Sequence, residues 1–158
     1  MLKTWGVVNE TPCITLNSSG HKFGVLGGIS SDGDVHGEIH FGSIKGAVTV
    51  EFLKSLLKRF ENNITVVFDN GRNLKCAVVK EFTDLEERLD VIYLPPYAPD
   101  CNPIELLWAW IRRNLGSLVF SDVEELLVGW QSWWLEVVKL PDVVKSFFEG
   151  SRIGSLSL

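Results

Sequence analysis

Two carboxylates stand where metal-dependent phosphoryl chemistry would need them. Asp69 follows a short apolar, β-branched run, Ile64-Thr65-Val66-Val67-Phe68, and precedes the turn formers Asn70-Gly71. Glu105 falls in the first turn of a helix-like segment that opens with Asn102-Pro103-Ile104. That segment comes shortly after a second apolar run, Val91-Ile92-Tyr93-Leu94, which Pro95-Pro96 stops. A helical stretch separates the two runs, so the strands are expected to be parallel, with their carboxyl ends on one side. In α/β sheets that side is where ligands bind. Carboxylates converging there suit Mg²⁺ or Mn²⁺, which take oxygen ligands. A pair of such ions about 3.5–4 Å apart can activate a water or a 3′-hydroxyl and stabilise the leaving oxygen of a phosphodiester. Each residue also has an ordinary explanation. Asp69 can serve only the turn, and Glu105 can close a capping box with Asn102.

The elements that must position these residues follow from periodicity. The chain has 158 residues, 46% hydrophobic and 22% charged, which fits a single domain with a buried core. Residues 22–29 and 35–41 read as strands around a turn at 30–34, a hairpin signal. Val35, Gly37, Ile39 and Phe41 share one face of the second strand, and His36, Glu38 and His40 share the other. The polar face can be solvated or can bind zinc. Apolar stripes predict helices over 49–60 and 74–89. A third helix runs from Pro103 to Leu115 and ends at Gly116. Ser121-Asp122-Val123-Glu124 reads as a capping box opening a fourth, and Pro141 opens a fifth that stops near Gly150. Trp130, Trp133 and Trp134 on the fourth helix can be core or can stack on bases. Arg112 and Arg113 can meet phosphate or simply end a solvated helix. The order implies an α/β fold with a parallel part and an antiparallel hairpin.

The bulk numbers restrict partners. Net charge is −5, whereas a chain that binds DNA by itself is usually basic. DNA binding then requires positive charge from another segment or protein. Three cysteines, without a C-x-x-C pair, argue against a disulfide framework or zinc ribbon and fit a reducing cytosol. No stretch is long and apolar enough to span a membrane, and no signal-peptide pattern opens the chain, so a cytoplasmic protein with no membrane partner is expected.

The run Leu94-Pro95-Pro96-Tyr97-Ala98-Pro99-Asp100-Cys101-Asn102-Pro103-Ile104-Glu105-Leu106-Leu107-Trp108 resembles the signature at the third acidic residue of bacterial mariner-like DDE transposases, a group of DDE superfamily endonucleases. Val66-Val67-Phe68-Asp69-Asn70 is similar to their second-aspartate strand. The segment from Thr4-Trp5-Gly6 to Pro12, the Gly27-Gly28 strand and the Glu51-Phe52-Leu53 helix fall in the family's order, so the likeness covers roughly residues 4–128. It implies a ribonuclease-H-like fold, a mixed sheet flanked by helices, with three metal-binding carboxylates that cut and rejoin transposon ends. By matching position Asp69 is the second carboxylate and Glu105 the third, both catalytic and both ligands of Mg²⁺ or Mn²⁺.

The sequence departs from the family in two places. The family's first aspartate lies on a strand upstream of the Thr-Trp segment, and no residue here matches it; Glu10, Asp32 and Asp34 fall in loops or turns. The family's histidine after the second aspartate is replaced by Gly71-Arg72-Asn73-Leu74-Lys75. The expectation is therefore a truncated core over 1–120, missing its first, central strand, with residues 121–158 as C-terminal helices of the same domain. Its function would be that of a transposase catalytic-core fragment, inactive alone and binding its metal weakly. Transposon-end DNA would be reached through a missing N-terminal DNA-binding segment. The gap in the sheet would be filled by self-association or by an upstream transposase fragment. The alternatives are a non-enzymatic, transposase-derived interaction or regulatory module, and a metal-dependent nuclease unrelated to transposition.

Overall fold

In the computed structural model, which describes residues 23–69, 71–96, 98–116 and 122–151, strands β1 (Phe23–Ile29) and β2 (Val35–Phe41) pair antiparallel, with Val25 opposite Ile39 and Gly27 opposite Gly37. Helix α1 (Gly46–Arg59) follows, then strand β3 (Ile64–Phe68), helix α2 (Ala77–Leu85) and strand β4 (Leu89–Tyr93). β3 and β4 are parallel, with Phe68 opposite Tyr93. A short 3₁₀ turn at Pro99–Cys101 leads into α3 (Pro103–Leu115), and α4 (Val123–Val138) and α5 (Pro141–Glu149) complete the described chain. Among the described residues no helix is long and apolar enough to cross a membrane.

The alternation of side chains along a strand decides what covers each face of the hairpin. Val25, Ile29, Val35 and Ile39 join Leu107 and Ile111 of α3, Trp130 and Val137 of α4, and Val144 and Phe147 of α5 in one core cluster. Leu26, of opposite parity, packs into a second cluster with Phe52, Leu53 and Leu56 of α1 and Val79 of α2. That cluster also takes Ile64, Val66 and Phe68 of β3 and Leu89 and Val91 of β4. The hairpin is thus a shared wall between two cores. Arg88, just before β4, ties the second half together. Its Nη2 donates to the carbonyls of Leu57 and Asn62 at 3.3 Å each, and also to Phe60. Carbonyls left without helical partners at the end of α1 are satisfied in this way.

The polar face of β2 is partly covered by α1. Ser55 on α1 lies 2.8 Å from His36 Nε2, and its Oγ donates to Glu38 Oε1 at 2.6 Å. Ser55 has one hydroxyl hydrogen, and the Phe52 carbonyl at 2.8 Å also competes for it. His36 is therefore the donor to Ser55. His40 Nε2 lies 3.4 Å from Glu38 Oε2 but lacks hydrogen-bond geometry there.

Several boundaries differ from the sequence reading. The strands at 35–41 and 64–68 and the helix from Pro103 to Leu115 have the expected bounds. α1 begins earlier, at Gly46. The helix expected over 74–89 is only Ala77–Leu85, because Glu86 turns to extended backbone and Leu89, 5% exposed, opens β4 opposite Ile64. Leu89 fits the helical stripe by spacing, but it is buried as a strand residue. The cap of α4 is Asp122, whose side chain accepts from Glu125 N at 2.9 Å. Where a single mixed sheet is expected, the described residues form two two-stranded sheets, β1–β2 and β3–β4. The extended run at 13–16 lies outside the described residues.

The cross-strand pair Gly27 and Gly37 explains how α3 and α4 seat on the hairpin. A Cβ on Gly37 would come within 2.2 Å of the Trp134 ring, and one on Gly27 within 2.6 Å of Trp108. Trp108 and Trp134 stack at 5.9 Å, and Trp130 stacks on Trp134 at 4.9 Å. Two bare positions facing each other make a flat seat for the indoles. Gly37→Ala is expected to cost about 1–3 kcal/mol by overpacking, seen as a lowered midpoint in thermal unfolding followed by far-UV circular dichroism. Gly28→Ala, whose Cβ would meet only Phe52 at 3.7 Å, is the matched control. Equal midpoints for the two variants would remove the indole seat as an explanation.

Candidate functional site

Between the two small sheets lies a cavity of about 940 Å³. Residues 25–31 of β1 and its turn form one wall, and residues 64–69 of β3 and its end form the other. Consecutive residues line it on both sides, so the cavity meets strand edges and not only side-chain faces. The pairing says which backbone groups look into it. Ser30 N donates to Asp34 O, so the residues of β1 in step with Ser30 bond toward β2, and Val25, Gly27 and Ile29 point the other way. Ile64 N donates to Arg88 O, and Phe68 O accepts from Leu94 N, both on the β4 side. Thr65 and Val67 therefore face away from β4. The sequence reading placed a gap in the sheet between these same two strands. Strands can be found from pattern, but which edge stays unpaired depends on what lies beside it.

Asp69 sits at the carboxyl end of β3, exposed, on the wall of this cavity. Its Oδ1 accepts from Gly71 N at 2.7 Å. The turn role foreseen for it is real, but it uses one oxygen only. Glu105 lines the same cavity from the first turn of α3 and is half-buried. The capping box expected with Asn102 is not formed. Asn102 makes no side-chain cap bond, and its carbonyl instead accepts from Glu105 N at 3.0 Å. Among the described residues the Glu105 carboxylate has no hydrogen-bond or ion-pair partner. The path that brings it back runs from the end of β4 at Tyr93 through the 3₁₀ turn into α3, whose Ile104 and Trp108 also line the cavity.

A third carboxylate, Asp34, borders the cavity but belongs to its far end. It pairs with Arg59 Nη2 at 3.3 Å, and Arg59 closes the helix that leads into the start of β3. A five-residue strand spans about 16 Å, which separates Asp34 from Asp69. Tyr93, at the end of β4, donates to the Leu74 carbonyl at 3.1 Å, and Lys75 Nζ stands 4.9 Å over its ring. Burial, then the neighbouring Cys76 and Asp84, lifts the Tyr93 hydroxyl above its ordinary pKa.

The remaining candidates separate clearly. Trp130 is buried and Trp133 and Trp134 are partly buried in the aromatic core, which leaves no open stacking platform. His36, Glu38 and His40 are engaged with one another and with Ser55. Among the described residues no group of three or more His, Cys, Asp or Glu side chains is placed to hold a metal ion. Arg112 and Arg113 are exposed in the last turn of α3. Seven residues are nearly two helical turns, so Arg112 lies on the same stripe as Glu105, about 10 Å along the axis. Asp69 and Glu105 thus offer two carboxylates at this cavity, oxygen donors that suit a hard dication but are fewer than one prefers.

Comparison with known proteins adds two findings. A family model described as "DDE superfamily endonuclease" matches residues 2–127, well over half of the chain. An "Uncharacterized protein y4pE/y4sA" of Sinorhizobium fredii (strain NBRC 101917 / NGR234) is 29% identical over 56 residues, which is 35% of this chain and 42% of that relative. The chain thus spans less than half the length of that curated relative.

A metal titration tests the two carboxylates. Mn²⁺ is expected to bind weakly, and Asp69→Asn and Glu105→Gln are each expected to weaken it further, since each removes one charged ligand. Isothermal titration of the chain and both variants decides this, and equal affinity in all three would exclude a shared site.

Proposed function

Because this chain belongs to the DDE superfamily endonucleases, we propose that it is the catalytic-core part of a mariner-like insertion-sequence transposase, serving metal-dependent DNA strand cleavage and joining. The observation that carries this reading is the placement of Asp69 and Glu105 on one cavity with carboxylate oxygens unspent. Asp69 and Glu105 are the proposed catalytic residues and the proposed ligands of Mg²⁺ or Mn²⁺. When bound, the metal supplies Lewis-acid activation of the attacking oxygen and charge stabilisation at the phosphodiester. The protein's own contribution is positional. The Gly71 N–H fixes one oxygen of Asp69 and leaves the other directed by the turn. Glu105 stands on the first turn of a helix anchored by buried Leu107 and Ile111, which fixes its backbone. Arg112 and Arg113 are proposed to meet the DNA backbone flanking the cut, as exposed guanidiniums suited to phosphate.

The same reading makes the fold ribonuclease-H-like, with its first, central strand supplied from outside the described residues. Among the described residues no group of three metal-ligating side chains forms, so Asp69 and Glu105 are proposed as two of the family's three carboxylates. With net charge −5, transposon-end DNA is proposed to be held mainly by a separate basic element. The incomplete ligand set also favours a second reading, a transposase-derived module that keeps the fold for interaction or regulation and does not cut.

The purified chain is expected to leave supercoiled DNA intact in Mg²⁺ or Mn²⁺. Mixed with a polypeptide carrying the family's first-aspartate strand, it should gain nicking that Asp69→Asn or Glu105→Gln abolishes. Failure of the mixture to cut would favour the regulatory reading, and robust cleavage by the chain alone would contradict both. Affinity for random duplex at physiological salt is expected to be no tighter than roughly 10⁻⁴–10⁻⁶ M; fluorescence anisotropy giving a nanomolar complex would overturn the electrostatic part of the proposal.

A further inference from the structure

The stacking surface that the indoles do not offer is present on a different ring. Among the described residues Phe41, at 74% exposure, is the most exposed phenylalanine, tyrosine or tryptophan. It ends β2, on the strand face whose other members, Val35 and Ile39, pack into the core. Gly42 after it takes a φ of +90°, a region strained for other residues, and a Cβ there would meet nothing within 4 Å. The ring is therefore held at a bend with open space beside it.

Its place in the fold is the end that holds Asp69 and Glu105. The hairpin's turn lies at the opposite end, where Asp34 pairs with Arg59 just before β3 begins. Phe41 pairs with Phe23 at the hairpin's other end, which puts it toward the carboxyl end of β3. Two contacts fix the loop that follows it. A Cβ on Gly24 would come within 2.8 Å of Ile44, and Ile44 lines the cavity together with Asp69 and Glu105. A Cβ on Gly46 would come within 2.2 Å of Cys76 Sγ, on the segment that leads from Asp69 into α2. The charge at this edge is opposite to that of the whole chain. Residues 41–50 carry Lys45, and residues 70–80 carry Arg72, Lys75 and Lys80; neither stretch contains an acid, on a chain of net charge −5. Lys45, Arg72 and Lys75 are exposed.

We propose that this edge is a contact for unpaired DNA, in which the Phe41 ring stacks on a base beside the cut and Lys45 and Lys75 meet the phosphates of the same strand. An exposed ring among cations takes any base by its π-face and the backbone by its charge. The neighbours of Phe41 favour this occupant over a protein surface, because Gly42, Ser43 and Lys45 are exposed and extend no apolar patch around it. The inference rests on the endonuclease reading above and adds to it the form of DNA that the site takes, a strand opened over at least one base.

Fluorescence anisotropy with the full chain tests it, in EDTA and at low salt, using a labelled single strand of about 12 nucleotides and a duplex of the same length. Phe41→Ala is expected to weaken the single-strand complex by about tenfold and to leave the duplex complex unchanged, and Phe41→Trp to keep wild-type affinity. Leu135→Ala, which truncates an exposed apolar side chain on α4, should change neither. Lys45→Gln and Lys75→Gln should each reduce the slope of log affinity against log salt on the single strand by about 0.7. No measurable single-strand binding at low salt, or equal affinity of wild type and Phe41→Ala, would overturn the proposal. So would an equal loss on single strand and duplex, which stacking on an unpaired base does not produce. A Phe41→Ala variant with unchanged DNA affinity but reduced self-association in ultracentrifugation would overturn it in favour of a protein partner. EDTA keeps metal and cleavage out of the measurement. A failure here thus leaves the roles of Asp69 and Glu105 standing, and a failure of cleavage leaves the strand contact standing.

Discussion

Backbone hydrogen bonding along two facing strand edges is the constraint on which the rest of this structure depends. Each small sheet has its own core: α3, α4 and α5 against the hairpin, α1 and α2 against β3 and β4. Those cores can be filled by side chains without any bond between the sheets. The edges cannot be satisfied by side-chain packing. An unpaired backbone group costs roughly 1–3 kcal/mol when buried dry, against a net stability of about 5–15 kcal/mol for a domain. The space between the sheets must therefore hold either water or another strand. The two carboxylates inherit this condition. Asp69 is fixed to the β3 side, whereas Glu105 is fixed to α3, which rests on β1 through Ile104 and Trp108. The spacing of the edges is also the spacing of the site.

Much of the architecture was legible because local chemistry and tertiary burial agreed. β2 and β3 are bounded by turn residues and carry patterns that match their cover. α3 is framed by Pro103 at its first turn and Gly116 beyond its last, and both signals act within a few residues. α2 failed for the opposite reason. Leu74 and Leu89 sit at helical spacing with Val78, Phe82 and Leu85, but spacing cannot tell a helix residue from a strand residue buried in the same cluster. Arg88 decides the matter by bonding the end of α1, a contact between residues far apart in sequence.

The candidate site's residues could be named from sequence, but not their state. Asp69 and Glu105 were found from strand ends and from a resemblance. That Glu105 is free of its capping duty, and that Asp69 keeps one oxygen unbound by the turn, are facts of backbone geometry at Asn102 and Gly71. The polar face of β2 shows the same limit. Its alternation was plain, but its partner Ser55 stands on a helix nearly twenty residues away, and only packing brings the two together.

The indole cluster divides the molecule in one more way. All five described tryptophans, Trp108, Trp110, Trp130, Trp133 and Trp134, lie in the core formed by the hairpin with α3, α4 and α5, and none lies in the core of α1, α2, β3 and β4. They fall into two contacting groups, Trp108 with Trp130 and Trp134, and Trp110 edge-on to Trp133. Emission from these five indoles is consequently a one-sided view of the described fold. The half that carries Asp69 could loosen with little change in that signal, and its own optical marker is the phenol of Tyr93.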